Sequence, residues 1–338
     1  MINLSLKTGD YPNFCKQSRV TPVYKEGERS NVDNYRPIFI LPVIAKCIEY
    51  FVSIQITHHV ENYNLFSNRQ YGFRKNYSTT YLMLDLFDEM YESKSKYYKP
   101  GIIFLDIRKA FDTVHHSILI EKLKHYGIRG TVLIWISNFL HDRLQCTRVG
   151  KVYSTSFLAV ICGVPQGSTL GPLLFSIFIN DLESICHLSV PYLFADDGAL
   201  FFKDTCRKSY VNMKIELLNV KKWLDVNMLS LNLDKTKFMI FDNSDQIDAI
   251  SVGNIIIKEC KIKKYLGLIV DNKLSFNEHI EHIKKKVSKR IGAMYLCKNL
   301  LPLKYMKMFA NSLVLPIFDY LDIIYNKAAK TKLLDLDI

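Results

Sequence analysis

The stretch "PYLFADDGALFF" (residues 191–202) sets two adjacent acids, Asp196 and Asp197, between two apolar runs. Each run reads as a short buried strand, and the Asp197-Gly198 step between them reads as a tight hairpin turn. A turn accounts for Asp197 and Gly198, because an exposed turn solvates its own charges. It leaves Asp196 unexplained, since neighbouring carboxylates repel unless a cation sits between them.

A second acid has the same setting. "GIIFLDI" (101–107) is a continuous apolar strand that delivers Asp106 to its end. Alone, Asp106 reads as an N-cap for the segment after it. Together, the two stretches form one pattern of strands with carboxylates at their ends. If these strands are neighbours in a sheet, the acids converge. Convergent carboxylates without His or Cys describe a hard-cation site, Mg²⁺ first and Mn²⁺ next. Two such ions about 3.5–4 Å apart can activate an attacking hydroxyl and stabilise a leaving pyrophosphate.

The 338-residue chain is long enough for two or three subdomains, and 49% hydrophobic content argues against disorder. A formal net charge of +12 points to a polyanionic partner, nucleic acid before membrane. The eight cysteines are scattered singly, which disfavours zinc and fits reduced thiols. With no secretory signal and no run of about 18 apolar residues, the expectation is a soluble intracellular protein, nuclear or cytoplasmic.

Strands and helices do not alternate regularly, so the fold class expected is α+β rather than a doubly wound sheet. "KEGERSNVDNYRP" reads as a long hairpin loop. Helices are expected near 38–60, 80–92, 115–126 (closed by Gly127), 131–141 and 207–229. In the last of these, Val211, Ile215, Leu218 and Leu229 form the expected buried stripe. Two strands are expected within 144–161, others near 236–241 and 265–270, and two amphipathic helices with a basic face from about 276 onward. "VPQGSTLGP" is a Gly/Pro loop that leads into the apolar helix "LLFSIFINDL".

In order, "FLDIRKAFDTV", "GVPQGSTLGPLLFSIFINDL" and "FADD" resemble the A, B and C motifs of reverse transcriptases of non-LTR (LINE-like) retrotransposons. The resemblance extends upstream through "TPVYKEGERSNVDNYRPIFIL" and "RQYGFRKNYST", and downstream through "LSLNLDKTKFMIF", "YLGLIVD" and "LSFNEHIEHIKKKV". It implies a right-hand polymerase with an antiparallel palm sheet, mixed fingers and a helical thumb. Fingers would occupy 1–98, palm with fingers insertions 99–270, and thumb 271–338. The implied activity is RNA-directed DNA synthesis from a primer 3′-hydroxyl with dNTPs, and the implied partners are an RNA template and a DNA primer. The same family pattern expects further elements before residue 1, including an endonuclease, so this chain would extend a primer without cutting DNA to make one.

Carried onto this sequence, Asp106 and Asp196 would hold both metals with Asp197 beside them. Asp112 falls outside the metal shell and reads as a helix start. Phe111 matches the aromatic under the incoming sugar, where a ring excludes a 2′-hydroxyl; a packing role at a turn is its plainer reading. Gln166 matches a residue touching nucleotide and template, and Gly163 and Gly167 permit close backbone approach. Lys25 and Arg36 match cations gripping the triphosphate, and Arg74 is offered to template or phosphate. Lys235 sits where polymerases keep a lysine near the pyrophosphate as general acid, although a surface lysine would look the same. His58, His59, His115 and His116 read as surface or helix-flank residues. Phe194 and Gly198 depart from the commoner Tyr and Thr of this motif but leave the acids intact. The competing function is a truncated, non-catalytic nucleic-acid-binding remnant of a retroelement. An RNA-templated RNA polymerase is disfavoured by Phe111.

Overall fold

The computed structural model describes residues 2–203, 206–241 and 249–328. Helix α1 (Ile2–Thr8) leads into the hairpin of β1 (Gln17–Tyr24) and β2 (Tyr35–Ile40). Helices α2 (Val43–Asn62) and α3 (Thr79–Ser95) precede β3 (Gly101–Asp106). Helices α4 (His116–His125) and α5 (Gly130–Leu140) follow, then β4 (Arg143–Val149), β5 (Val152–Tyr153) and β6 (Leu158–Val160). Helix α6 (Gly171–Ile179) comes before the hairpin of β7 (Val190–Phe194) and β8 (Asp197–Phe202), and α7 (Cys206–Val226) comes after it. Strands β9 (Lys237–Ile240), β10 (Ala249–Val252) and β11 (Ile255–Glu259) lead to the hairpin of β12 (Ile262–Tyr265) and β13 (Leu268–Asp271). The C-terminal part is helical: α8 (Asn277–Cys297), α9 (Leu303–Phe309), α10 (Leu315–Asp319) and α11 (Asp322–Tyr325).

These elements form two compact units. The first comprises Met1–Lys75, Ile107–Cys186 and Asn219–Asn232. Its sheet runs β2-β1-β4-β5, with β6 paired to β4. The β1–β2 pair is antiparallel and the β1–β4 pair parallel. Apolar faces of α2 (Ile48, Val52, Ile56), α5 (Trp135, Ile136, Phe139) and α6 (Leu174, Phe175, Phe178) are buried. Tyr11 stands edge-on to both Trp135 and Phe139 at 5.2 Å. Gly127, at φ 78°, closes α4 in the left-handed conformation that glycine adopts without a Cβ clash.

The second unit comprises Asn76–Asp106, His187–Leu218 and Leu233–Ile338. Its six-stranded sheet has the order β10-β11-β9-β3-β8-β7. Strand β3 lies between β9 and β8, antiparallel to both, and Gly101 through Leu105 are all buried. A strand covered on both faces reads as a continuous apolar run rather than an alternating one, which is why "GIIFL" has that form. Strand β7 is an edge, and there Pro191 forfeits no ladder bond on its open side. Most pairings in this sheet are antiparallel, and β11 with β9 is the parallel exception.

Several expectations need correction. The hairpin turns at Ala195-Asp196, because Phe194 pairs with Asp197, so Asp197 opens β8 and Gly198 lies within it. Three strands, not two, occupy 143–160, and 262–271 is a hairpin. In α7, Val211, Ile215 and Leu218 are exposed, and the buried face carries Ser209, Met213, Glu216, Leu217, Val220 and Leu224. Glu216 disguises that face. It is polar in sequence but fully buried, accepting from the Leu188 and Ser189 amides at 3.0 and 3.1 Å and from the Ser189 hydroxyl at 2.8 Å. Residues 329–338 of the expected thumb lie outside the described residues.

Candidate active site

In the second unit, the register of β3 against β8 sets Asp106 directly opposite Asp197. Opposed residues of an antiparallel pair project from the same face of the sheet, so the two carboxylates share a side at the strand ends. Asp196 occupies the two-residue turn and is exposed, as is Asp197; Asp106 is half-buried. The residue before the acids, Ala195, is buried and held at φ 55°. A side chain in that left-handed region costs about 1–3 kcal/mol, and the surrounding hairpin supplies what holds it there.

Thr236, in the link before β9, fastens the end of β3: its Oγ1 accepts from the Asp106 amide at 3.2 Å. Beside it, Lys235 is exposed, and its carbonyl accepts from Lys263 Nζ at 2.7 Å. Lys263 is the residue that sequence reading missed. It belongs to β12 and lines a cavity of about 250 Å³ together with Asp106, Asp197 and Gly267. Burial pulls its ammonium below the ordinary lysine range, while Cys260, Asp106 and Asp197 push it back up. The signal available in sequence was the Lys263-Lys264 pair before "YLGL", but a lysine pair on a short strand is ordinarily a solvated edge.

In the first unit, the segment after β3 turns through a 3₁₀ helix at Ala110–Asp112 that is stitched to the Gly/Pro loop before α6. The amides of Gly163 and Val164 donate to the carbonyls of Val114 and Phe111, each at 2.8 Å. Gln166 Nε2 donates to Asp112 Oδ1 at 2.9 Å, so Phe111 and Gln166, distant in sequence, belong to one surface. The Phe111 ring, half-buried, stacks on Phe175 with centroids 4.5 Å apart. Asp112 closes its 3₁₀ turn instead of starting a helix, and burial raises its carboxyl above the usual range against the Gln166 hydrogen bond. Gly163 (φ 88°) and Gly167 (φ 121°) are required: a Cβ would stand 2.7 Å from the Asp112 carbonyl oxygen in the first case and 2.6 Å from that of Phe39 in the second.

Lys25 and Arg36 are exposed on the β1–β2 hairpin, where the Lys25 amide donates to the Asn34 carbonyl at 2.9 Å and Arg36 pairs with Val23. Arg74 is turned inward. Its guanidinium forks onto Glu61 at 2.9 and 2.8 Å and its Nη1 donates to the Ser67 carbonyl at 2.8 Å, pinning the loop after α2. His116, the first residue of α4, is buried with Nε2 against the Gly163 carbonyl at 2.8 Å, and the half-buried His59, in the last turn of α2, meets the Tyr126 carbonyl with its Nε2 at 2.8 Å.

Asp106 and Asp197 present only oxygen donors, and the cavity they line contains a lysine that offsets part of their charge. Such a donor set fits a hard divalent cation and not a soft one. Among the described residues, no group of three or more His, Cys, Asp or Glu stands close enough to hold a metal ion by itself. Nor is any helix among them long and apolar enough to cross a membrane.

Residues 23–270 match the family model described as "Reverse transcriptase (RNA-dependent DNA polymerase)". The chain is 28% identical over 349 residues to the RNA-directed DNA polymerase from mobile element jockey of Drosophila melanogaster, covering 98% of this chain and 38% of that protein. It is 27% identical over 248 residues to the Pol polyprotein of a type-1 retrotransposable element R2 from Popillia japonica, covering 70% of this chain and 34% of that protein. It thus spans about a third of the length of such relatives. Among solved structures, apo telomerase from Candida tropicalis truncated from the C-terminal domain is similar with a TM-score of 0.55 at 11% identity, over 77% of this chain and 54% of that one. At that identity the likeness shows the fold alone.

Proposed function

The chain belongs to the reverse transcriptase (RNA-dependent DNA polymerase) family, and on that premise we propose that it copies an RNA template into DNA by extending a primer 3′-hydroxyl with dNTPs. The observation that carries the proposal is the Asp106–Asp197 register pair, which puts two carboxylates on one face where two strands end. In the step proposed, the primer 3′-hydroxyl gives up its proton to solvent and its oxygen forms a bond to the α-phosphorus of the dNTP. The α–β bond breaks, and its electron pair leaves with pyrophosphate. Asp106, Asp196 and Asp197 are the proposed metal holders. Bound there, Mg²⁺, or Mn²⁺ in its place, would supply an acidified primer hydroxyl and neutralise charge on the leaving pyrophosphate.

The remaining roles fall to this chain's own groups. Phe111 closes the space a 2′-hydroxyl would need, and Gln166 with Gly167 lies against nucleotide and template. Lys25 and Arg36 grip the triphosphate, and Lys235 is the proposed proton donor to pyrophosphate, with Lys263 as a fixed counter-charge to the acids. Fingers (1–98), palm (99–270) and thumb (271–338) remain the proposed division. The test is single-nucleotide primer extension on RNA with Mg²⁺ or Mn²⁺. Asp106→Asn, Asp196→Asn and Asp197→Asn are each expected to lower the rate at least ~10³-fold, about 4 kcal/mol of transition-state stabilisation. Near-parental extension by Asp106→Asn would sink the site. A parent that binds template–primer but never extends it would favour the non-catalytic remnant.

A further inference from the structure

Glu49, on α2, is a carboxylate with no solvent exposure and no part in the chemistry described above. A buried carboxylate persists where donors replace its water, and Glu49 has them on both oxygens. Oε1 accepts from the Tyr11 hydroxyl at 3.1 Å. Oε2 accepts from the Ser168 hydroxyl at 2.7 Å and from the Thr169 amide at 2.9 Å. Ser168 has one hydroxyl proton, and giving it to Glu49 turns the oxygen lone pairs toward the chain ahead. There Ser168 Oγ accepts from the amides of Leu170 and Gly171, where α6 begins, at 3.1 and 3.0 Å. One charged group thereby orients a hydroxyl, and the hydroxyl fixes the exit of the Gly/Pro loop. The entrance side is held separately. The Gln166 carbonyl accepts from the Phe39 amide at 2.8 Å, and the Gln166 side chain is tied to Asp112.

We propose that Glu49 is a positioning residue for the incoming nucleotide: its carboxylate, acting through Ser168 and Thr169, sets the Gln166–Gly167 surface and thereby dNTP affinity. The inference rests on the reading that this surface touches the nucleotide. Glu49→Gln keeps the shape of the side chain but leaves one neutral carbonyl oxygen where there were two carboxylate oxygens, so the Ser168 hydroxyl and the Thr169 amide are held less strongly and the loop loosens. Glu49 belongs to the loop's support and not to the reacting groups, so it should act on KM and leave kcat nearly alone.

The test measures dNTP KM and kcat in primer extension. In parallel, it measures the affinity of the next dNTP for a complex on a dideoxy-terminated primer, a readout that requires no turnover. Glu49→Gln and Ser168→Ala are expected to weaken dNTP at least about fivefold in both assays, with kcat within about threefold and template–primer affinity unchanged. The double variant should be no worse than the more affected single one, because both changes cut the same link. Ser168→Ala decides the matter if Glu49→Gln does not melt cooperatively. Parental dNTP affinity in the folded variants would overturn the proposal. Gln166→Ala separates the two ideas: weakened dNTP binding there, with parental binding in the Glu49 and Ser168 variants, overturns the role of Glu49 alone, whereas parental binding in Gln166→Ala overturns the reading of the surface and the role of Glu49 with it.

Discussion

At Ala195 the backbone conformation and the chemistry meet. The residue sits at φ 55° immediately before the two acids, so the direction of Asp196 and Asp197 depends on a turn that L side chains resist. Glycine takes that region freely, whereas a β-branched side chain does not. Ala195→Gly is therefore expected to keep primer extension within about threefold, and Ala195→Val to lower it at least about tenfold, from the 1–3 kcal/mol cost of such strain. Steady-state single-nucleotide incorporation, with melting curves as a check on folding, distinguishes them. Phe111 raises a different question, since its ring is already stacked on Phe175 and half-buried. Phe111→Ala should forfeit about 0.5–1.5 kcal/mol of aromatic stacking. It should also narrow the preference for dNTP over rNTP by roughly ten- to a hundredfold, the range a steric pocket commands. Competitive incorporation of the two nucleotides measures this, and unchanged discrimination would leave Phe111 a packing residue.

At the scale of elements, α8 shows how the second unit anchors its helical part. Asp271, at the end of β13, gathers the amides of Lys273, Ser275 and Phe276 at 3.0, 3.0 and 2.7 Å, fixing the turn into the helix. In the helix's first turn His279 is buried, and its Nδ1 accepts from the Ile269 amide at 3.3 Å. Burial pushes the imidazole pKa down to about 4, helped by the charges of His282, Lys286 and Lys264. The unfolded chain therefore takes up this proton first as pH falls. The stability associated with neutral His279 is whole above about pH 6.5 and is lost progressively toward pH 4, by up to about 3 kcal/mol. Urea unfolding at pH 7.5 and pH 5 should show a lower midpoint at the acid end. His279→Gln, which has no proton to gain, should flatten that difference.

For the molecule as a whole, the surplus of Lys and Arg over Asp and Glu, 45 against 33, predisposes it to a polyanion. Part of that charge is organised. On α8 Ile280, Ile283 and Val287 are buried while Lys285, Lys286, Lys289 and Arg290 are exposed, so one face packs and the other faces solvent. Cations arranged in this way neutralise phosphates without reading bases, and counterions are released as they bind. Affinity for an RNA–DNA template–primer should fall steeply between about 50 and 200 mM salt. Replacing those four cations with Gln should reduce the log–log slope by roughly one unit for each phosphate no longer neutralised. Fluorescence anisotropy across a salt series measures it, and an unchanged slope would remove α8 from the nucleic-acid surface.

Much of this architecture is local and therefore legible. "GIIFL" is apolar at every position because β3 is central in its sheet, Gly127 ends α4, and the acids stand where apolar runs stop. The loop glycines at 163 and 167 were also readable, since only glycine tolerates the backbone approach found there. The partnerships across long sequence separations were not. Glu49 meets Ser168, Lys263 enters the cavity of Asp106, and Arg74 turns to Glu61 because folding brings together elements whose order in sequence carries no distance information. The same holds for α7, whose true inner face includes Glu216. Periodicity counts apolar residues, whereas burial accepts any group whose hydrogen bonds are met, and only the fold supplies the Leu188 and Ser189 donors that meet them.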